Sequence, residues 1–432
     1  MRRIGLLVAL FQGGGNIPLL LPIVTRLTKR GHRVRCLVGP GVRASRLAVS
    51  EDLHRSLHAI GAHVVSLGEP DPHPLDGPPT ARGIAPGWVP RPFAAVAAEA
   101  RVSRWIPWWA QVVDVELRRE PAEAVVADFV LVGALVAAEQ VGVPSVALGH
   151  TVYPHPTRNR PPYGPGWLPR AGVTGRLRDA LGFLLTHRIH SRHALPFLNR
   201  GRQTLGLSPL GRYFEQYDRA SRVVVLTSPA FDPPEGFPSN VRLVGTPLGD
   251  STPCPASDAW LADDGRPLVL VSLSTLDQGQ TALMQRILAA LAGLPVRALV
   301  TLGPSLAAGR FTPPANVVLE RFVPHASVLP HAAAMVSQCG LGTVMKSLAH
   351  GVPLVCIPLV GDQAENAARV QALGAGVRLP SDAGPSRIRA AIARVLADRA
   401  LRVNAERIGR AIAGEDPVQA AVAEIESVLH SA

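Results

Sequence analysis

The stretch of this sequence best suited to hold an anion is Ser337-Gln338-Cys339-Gly340-Leu341-Gly342-Thr343. Two closely spaced glycines let backbone amides approach a ligand. A helix opening at that point adds partial positive charge, and the Thr343 hydroxyl adds a donor. A phosphate or diphosphate fits such a turn. Further on, Gly361-Asp362-Gln363-Ala364-Glu365-Asn366 places a carboxylate and two amides at the next strand-to-helix turn, where they suit sugar hydroxyls. Glycine before a helix is common by itself, so the pairing of the two turns carries the weight.

The elements that must position these turns follow from hydrophobic periodicity. Short β-branched runs alternate with helical stretches, and the alternation occurs twice, as in α/β proteins with parallel sheets. A strand over 4–10 precedes a glycine-rich turn and a helix with Leu20, Ile23, Val24 and Leu27 on one face. Strands follow at 34–38, 124–127 and 145–148, with 223–226 as the last strand of the first half. The Pro-, Gly- and Arg-rich stretch 153–170 reads as a long surface loop. A second series of strands, at 268–273, 297–301, 317–319, 334–336 and 354–357, alternates with helices. The expected organisation is an amino-terminal domain (1–227), a linker (228–264), a carboxyl-terminal domain (265–413) and a closing helix (414–432). Two doubly wound, Rossmann-like domains would then face each other across a cleft, with ligands at the carboxyl ends of the strands.

The order of the turns resembles the donor-binding signature of the bacterial antibiotic and macrolide branch of the nucleotide-sugar-dependent glycosyltransferases, which have the GT-B fold. Other segments share the resemblance: 267–275 (PLVLVSLST), Arg321-Phe322-Val323-Pro324-His325, Leu243-Val244-Gly245-Thr246-Pro247 and, more loosely, Arg30-Gly31-His32 and Val125-Val126-Ala127-Asp128. The resemblance implies that Phe322 stacks on a nucleobase while the Val323 backbone bonds its edge. It further implies that Ser274, Thr275, Gly340, Leu341, Gly342 and Thr343 hold a diphosphate, and that Asp362 and Gln363 hold the sugar. The implied reaction is inverting transfer of a sugar or deoxysugar from a TDP- or UDP-linked co-substrate to a hydrophobic natural product. No resident cofactor and no metal are implied.

Three positions depart from the family pattern. Its catalytic histidine falls on Asn16, whose amide cannot accept a proton. A histidine that donates to the diphosphate falls on Gln338, and a glutamate that receives the ribose hydroxyls falls on Lys346. Asp128, which would orient the missing histidine, has no evident partner in the sequence; His150 and Asp114 are the candidate substitutes. Three outcomes stay open: an acceptor needing little base help, a base supplied elsewhere, or a catalytically impaired auxiliary protein that keeps the fold.

On the acceptor side, Trp105, Trp108 and Trp109 share a helical face after Pro107 starts or kinks it, and they read either as core or as a broad apolar wall. His150 is assigned to the same side. The formal charge of +12 is concentrated between residues 151 and 212, where ten arginines face one acid, Asp179. That segment reads as a solvated face, a seat for an anionic acceptor, or a weak membrane-surface contact. No nucleic-acid motif accompanies it, and nucleic acid is not an expected partner. The four cysteines, Cys36, Cys254, Cys339 and Cys356, lack metal-ligand spacing and read as reduced thiols. The longest apolar run, 124–148, is broken by Asp128, Glu139 and Gln140, and residues 1–11 read as a first strand rather than a signal peptide. A cytoplasmic protein is the expectation. A dinucleotide-dependent oxidoreductase fails for want of the first-turn glycine fingerprint.

Overall fold

Two all-parallel sheets organise the chain. The computed structural model describes residues 3–11, 15–39, 48–68, 89–155, 157, 160–249, 264–275 and 277–429. In the first lobe, β1 (Gly5–Leu10), β2 (Arg33–Val38), β3 (His63–Ser66), β4 (Ala124–Asp128), β5 (Ser145–Gly149), β6 (Arg222–Val225) and β7 (Val241–Leu243) lie in the order β3-β2-β1-β4-β5-β6-β7. In the second, β8 (Leu268–Ser272), β9 (Arg297–Thr301), β10 (Val317–Glu320), β11 (Ala332–Ser337), β12 (Leu354–Cys356) and β13 (Gly376–Arg378) lie in the order β10-β9-β8-β11-β12-β13. Helices cover both faces, so the central strands are apolar throughout: every residue of β4 and β8 is buried.

Strand order reverses between β1 and β4 in the first lobe and between β8 and β11 in the second. Crevices open at such switch points, beyond the carboxyl ends of the strands. Asn16 and Asp128 follow β1 and close β4; Thr275 and the glycine turn follow β8 and β11. Each half of the expected chemistry therefore sits at the switch point of its own sheet.

Three sequence expectations are corrected. The segment expected as linker carries β7, an edge strand of only three residues, too short for its periodicity to register. The linker therefore begins later than 228, and residues 250–263 lie outside the described residues. Strand β13 escaped for the same reason. The expected surface loop 153–170 is instead buried over 162–166 and straps the lobes together. The Gly164 and Gly166 amides donate to Glu365 Oε1 at 2.9 and 2.7 Å. Gly166 has φ +60°, and a Cβ there would lie 2.3 Å from the Ala364 carbonyl oxygen, so only glycine fits.

The closing helix Pro417–Ser427, capped by Asp416 accepting from the Gln419 amide at 2.9 Å, returns to the first lobe. Its Ala421, Val422 and Ile425 join the core beneath β1, and Arg30 and Arg222 pair with Glu426 and Glu424. Between the lobes, Val152, Tyr163 and Phe231 share one apolar cluster with Leu341 and Val344. Among the described residues no helix is long and apolar enough to cross a membrane.

Candidate active site

The donor-side turn is held in a conformation its sequence resists. Cys339 has φ +69°, the one positive value among the described non-glycine residues. A left-handed side-chain residue costs on the order of 1–3 kcal/mol and persists only where its surroundings fix it. Here the Cys339 amide donates to Ser337 Oγ at 3.0 Å, and Asn366 Nδ2 donates to the Cys339 carbonyl at 2.9 Å. The bend brings Gly340 to the start of the Leu341–Ala349 helix. The Leu341 and Gly342 amides then lie at the helix's open end, where no intrahelical carbonyl reaches them. Gln338 is buried, its amide oxygen accepting from Ser337 Oγ at 3.2 Å.

Beside that turn, Thr275 is exposed at the end of β8 and faces Gly303. Ser274 is buried, its carbonyl accepting from Gln280 and Ser305. Gly303, Pro304, Glu320, Arg321 and Phe322 line a cavity of about 340 Å³. Phe322 is 73% exposed, an uncovered aromatic face at the mouth of this cavity, while Val323 is buried behind it. Burial lowers the pKa of Lys346. Burial, together with the Lys346 charge, pushes the neighbouring His325 down to about 4. Lys346 is half-buried, and its charge is felt at His325.

Asp362 opens the Gln363–Ala372 helix and takes hydrogen bonds on Oδ2 from Thr151 Oγ1 of the opposite lobe (3.1 Å) and from Asn366 Nδ2 (2.9 Å). Burial raises its pKa; the Asn366 bond, the charge of His150 and the Thr151 bond pull the other way.

Across the cleft, Asp128 is 1% exposed. Its Oδ2 accepts from Asn16 Nδ2 at 2.6 Å, its Oδ1 accepts from the Val130 amide at 3.1 Å, and His150 Nδ1 lies 3.3 Å from Oδ1. Asn16 Nδ2 also donates to the Phe11 carbonyl at 2.7 Å, and the residue is 3% exposed. A buried carboxylate therefore holds an amide on one oxygen and an imidazole near the other.

Residues 285–428 match the family described as erythromycin biosynthesis protein CIII-like, C-terminal domain. The chain is 32% identical over 431 residues to the 4'-demethylrebeccamycin synthase of Lentzea aerocolonigenes, covering 98% of this chain and 99% of that protein. The chain belongs to the antibiotic-type glycosyltransferases. Its fold matches the crystal structure of CalG4, the calicheamicin glycosyltransferase, with a TM-score of 0.71, 24% identity, and coverage of 100% of this chain and 99% of that one. It also matches glycosyltransferase VinC, solved in complex with DTDP, with a TM-score of 0.68, 19% identity, and coverage of 99% and 100%. The GT-B architecture expected from the sequence is the observed one.

Within this glycosyltransferase the expected site residues divide. The structure places Phe322 at the cavity, Thr275 after β8, Gly340, Leu341, Gly342 and Thr343 at the start of one helix with Lys346 further along it, and Asp362 at the lobe boundary. Four assignments are corrected. Trp105 and Trp109 are each 2% exposed and belong to the first lobe's core. A Cβ on Gly133 would fall 2.7 Å from Trp109 Cβ, so close packing of the Val132–Val141 and Ile106–Arg119 helices, not a ligand wall, uses that ring. Trp108 is half-buried against both, its ring 5.6 Å from Trp105 and 5.2 Å from Trp109. Asn16 is not placed to orient an acceptor, because it is buried and its amide is spent inside the lobe. Gln363 is also spent internally: its Oε1 accepts from the Leu359 and Val360 amides and its Nε2 donates to Gln278, so it shapes the loop. Asp114, a candidate substitute base, bonds Arg118 one helical turn on.

Thr151 and Glu365 escaped as site-forming residues, and Asp128 has the partner the sequence did not reveal. A signal was present in strand adjacency. Leu148 pairs with Asp128 in the β4–β5 register, so the residue two beyond Leu148 stands beside that carboxylate.

Proposed function

We propose that this transferase moves a sugar from a thymidine- or uridine-diphosphate donor to a hydrophobic natural-product acceptor, with inversion at the anomeric carbon and His150 as the base. The observation that carries the reading is the His150–Asp128 pair at the switch point of the first sheet, one residue from Thr151, which bonds Asp362 on the donor side. The DTDP in the related VinC and the rebeccamycin synthase relationship support the donor and acceptor classes.

In this reading His150 Nδ1–H, 3.3 Å from Asp128 Oδ1, closes onto that carboxylate when the acceptor binds, which fixes the tautomer with a basic Nε2. Nε2 takes the proton from the acceptor's nucleophilic atom as that atom attacks the anomeric carbon. The bond to the diphosphate oxygen breaks with its electron pair, and the nucleoside diphosphate leaves. Its charge meets the amides at the mouth of the Leu341–Ala349 helix, the Thr275 and Thr343 hydroxyls and the Lys346 ammonium, donors that need no resident metal. Phe322 stacks on the base, and Asp362 accepts from a sugar hydroxyl. The base of the family pattern has thus moved from the helix after β1 to the end of β5, while its carboxylate has stayed in place.

Calorimetry with thymidine and uridine diphosphates, followed by turnover with His150→Gln, tests this. The variant is expected to lose about 10²–10⁴-fold in kcat with donor affinity unchanged. Turnover equal to the parent removes His150 as base; failure of both nucleotides to bind removes the donor assignment.

A further inference from the structure

The Gly172–His193 helix is built inside out. Its buried residues are Gly175, Gly182, Thr186 and Ile189, whereas Val173, Leu177, Leu181 and Leu184 are 74%, 61%, 59% and 67% exposed. Spacings of four, four and three place those four side chains on one face over three turns. The small inward residues have a reason: a Cβ on Gly182 would lie 2.4 Å from Pro162 Cγ and 2.9 Å from Trp167, so the helix is pressed onto the interlobe strap. Nothing in that packing requires leucine on the outside. Soluble surfaces rarely expose large aliphatic side chains in a contiguous row without a partner.

The charges around the row select the partner. Arg176 and Arg188 are exposed within the helix, Arg170 is exposed just before it, and Leu168 adds a further 38%-exposed side chain. The single acid between residues 151 and 212, Asp179, is already engaged by Arg178. A second copy of the chain docked on this face would bring arginine against arginine with no carboxylate to offset it. Its four aliphatic side chains would offer on the order of 400 Å² per partner, about half of what a stable interface needs. An anionic lipid surface meets both features at once, since headgroups receive the guanidinium groups while the aliphatic row enters the acyl boundary.

We propose that the Val173–Leu177–Leu181–Leu184 face, with Arg170, Arg176 and Arg188, is a seat for an anionic membrane surface. The helix then lies in the plane of the interface without crossing it. The strap beneath it leads to Glu365 of the other lobe. The lipid contact itself does not depend on which donor or base the enzyme uses.

Co-sedimentation of the full chain with phosphatidylglycerol-rich vesicles and with pure phosphatidylcholine vesicles tests the seat. Three arginines near the surface are expected to favour the anionic vesicles on the order of 100-fold at low salt, with the preference falling as salt is added. The double variant Leu177→Asp/Leu184→Asp is expected to weaken binding about tenfold or more. Arg176→Ser/Arg188→Ser is expected to lose most of the anionic preference. All four positions are exposed, so an unchanged melting curve separates lost docking from lost folding. Equal binding to both vesicle types, no binding to either, or binding indifferent to the double variants would overturn the proposal. Sedimentation of the free enzyme as a dimer that Leu177→Asp/Leu184→Asp dissolves would overturn it in favour of self-association.

Discussion

At the scale of single residues, the substitutions that looked most damaging in the sequence have distinct structural outcomes. Asn16 is a buried tie between the Phe11 carbonyl and Asp128. Lys346 is half-buried, and among the described residues its ammonium has no ion pair with an acid. A cation in such a position gains most from the phosphates of a nucleotide and little from its nucleoside. Lys346→Ala is therefore expected to weaken nucleoside diphosphate binding about tenfold, the equivalent of about 1.4 kcal/mol, while nucleoside binding stays within about twofold. Calorimetry with matched nucleoside and diphosphate checks this; equal losses for both would place Lys346 on the ribose or base instead.

At the scale of elements, the donor turn depends on a backbone that only its neighbours can hold. Cys339→Val puts a β-branched residue at φ +69° and is expected to cost about 1–3 kcal/mol and to reduce nucleotide binding with it, whereas Cys339→Gly relieves the strain while giving up the packing of one buried thiol. Chemical denaturation of the two variants, read with nucleotide titration, distinguishes them; a valine variant as stable as the glycine one would remove the strain argument. Strand-and-turn periodicity made most of this lobe legible, because β8 and β11 are long apolar runs with glycine at the following turn. Legibility failed where three residues of strand sit among turn-forming Gly, Pro, Ser and Asn, as in β7 and β13. It failed again where a polar composition concealed burial, as in the strap at Gly164 and Gly166, whose buried amides are satisfied by a glutamate some two hundred positions away. The tryptophans were misassigned for the opposite reason: spacing of three and four reports a shared face but not which neighbour that face meets. His150 was undervalued because a lone histidine carries no pattern, and only the β4–β5 register shows what stands beside it.

At the scale of the whole molecule, two charge arrangements govern whether the lobes stay folded and closed. One is a set of histidines kept neutral by burial. His190 and His325 are lowered to about 4 by burial first, and His155 well below its ordinary value by the same cause. Between pH 6.5 and 4 the unfolded chain binds these protons and the folded chain does not, so stability is present at neutral pH and falls on acidification through that window. Between pH 7.5 and 5.5 the loss is expected to be about 1 kcal/mol for each of His190 and His325, and His190→Phe should flatten the slope measured by urea unfolding. The second arrangement is the interlobe clasp. Arg160 and Arg369 both bond Asp232 Oδ1, at 2.8 and 2.7 Å, and Arg369 also pairs with Glu365, which holds the strap. Asp232 is 3% exposed, and its charge is what lets two guanidinium groups share one desolvated corner. Asp232→Ala leaves Arg160 without its ion-pair partner and Arg369 with Glu365 alone, and removing one partner of a buried pair costs about 3 kcal/mol or more. Because the clasp lies at the lobe boundary, that cost is expected as separation of the lobes before unfolding of either. Small-angle scattering should show a larger radius of gyration, and kcat should fall because Thr151 and His150 no longer meet the Asp362 side of the cleft. Asp232→Asn, which keeps an acceptor oxygen, should lie between parent and alanine on both measures. A compact Asp232→Ala enzyme with parental turnover would show that the apolar seam through Val152, Tyr163 and Phe231 closes the cleft without the clasp.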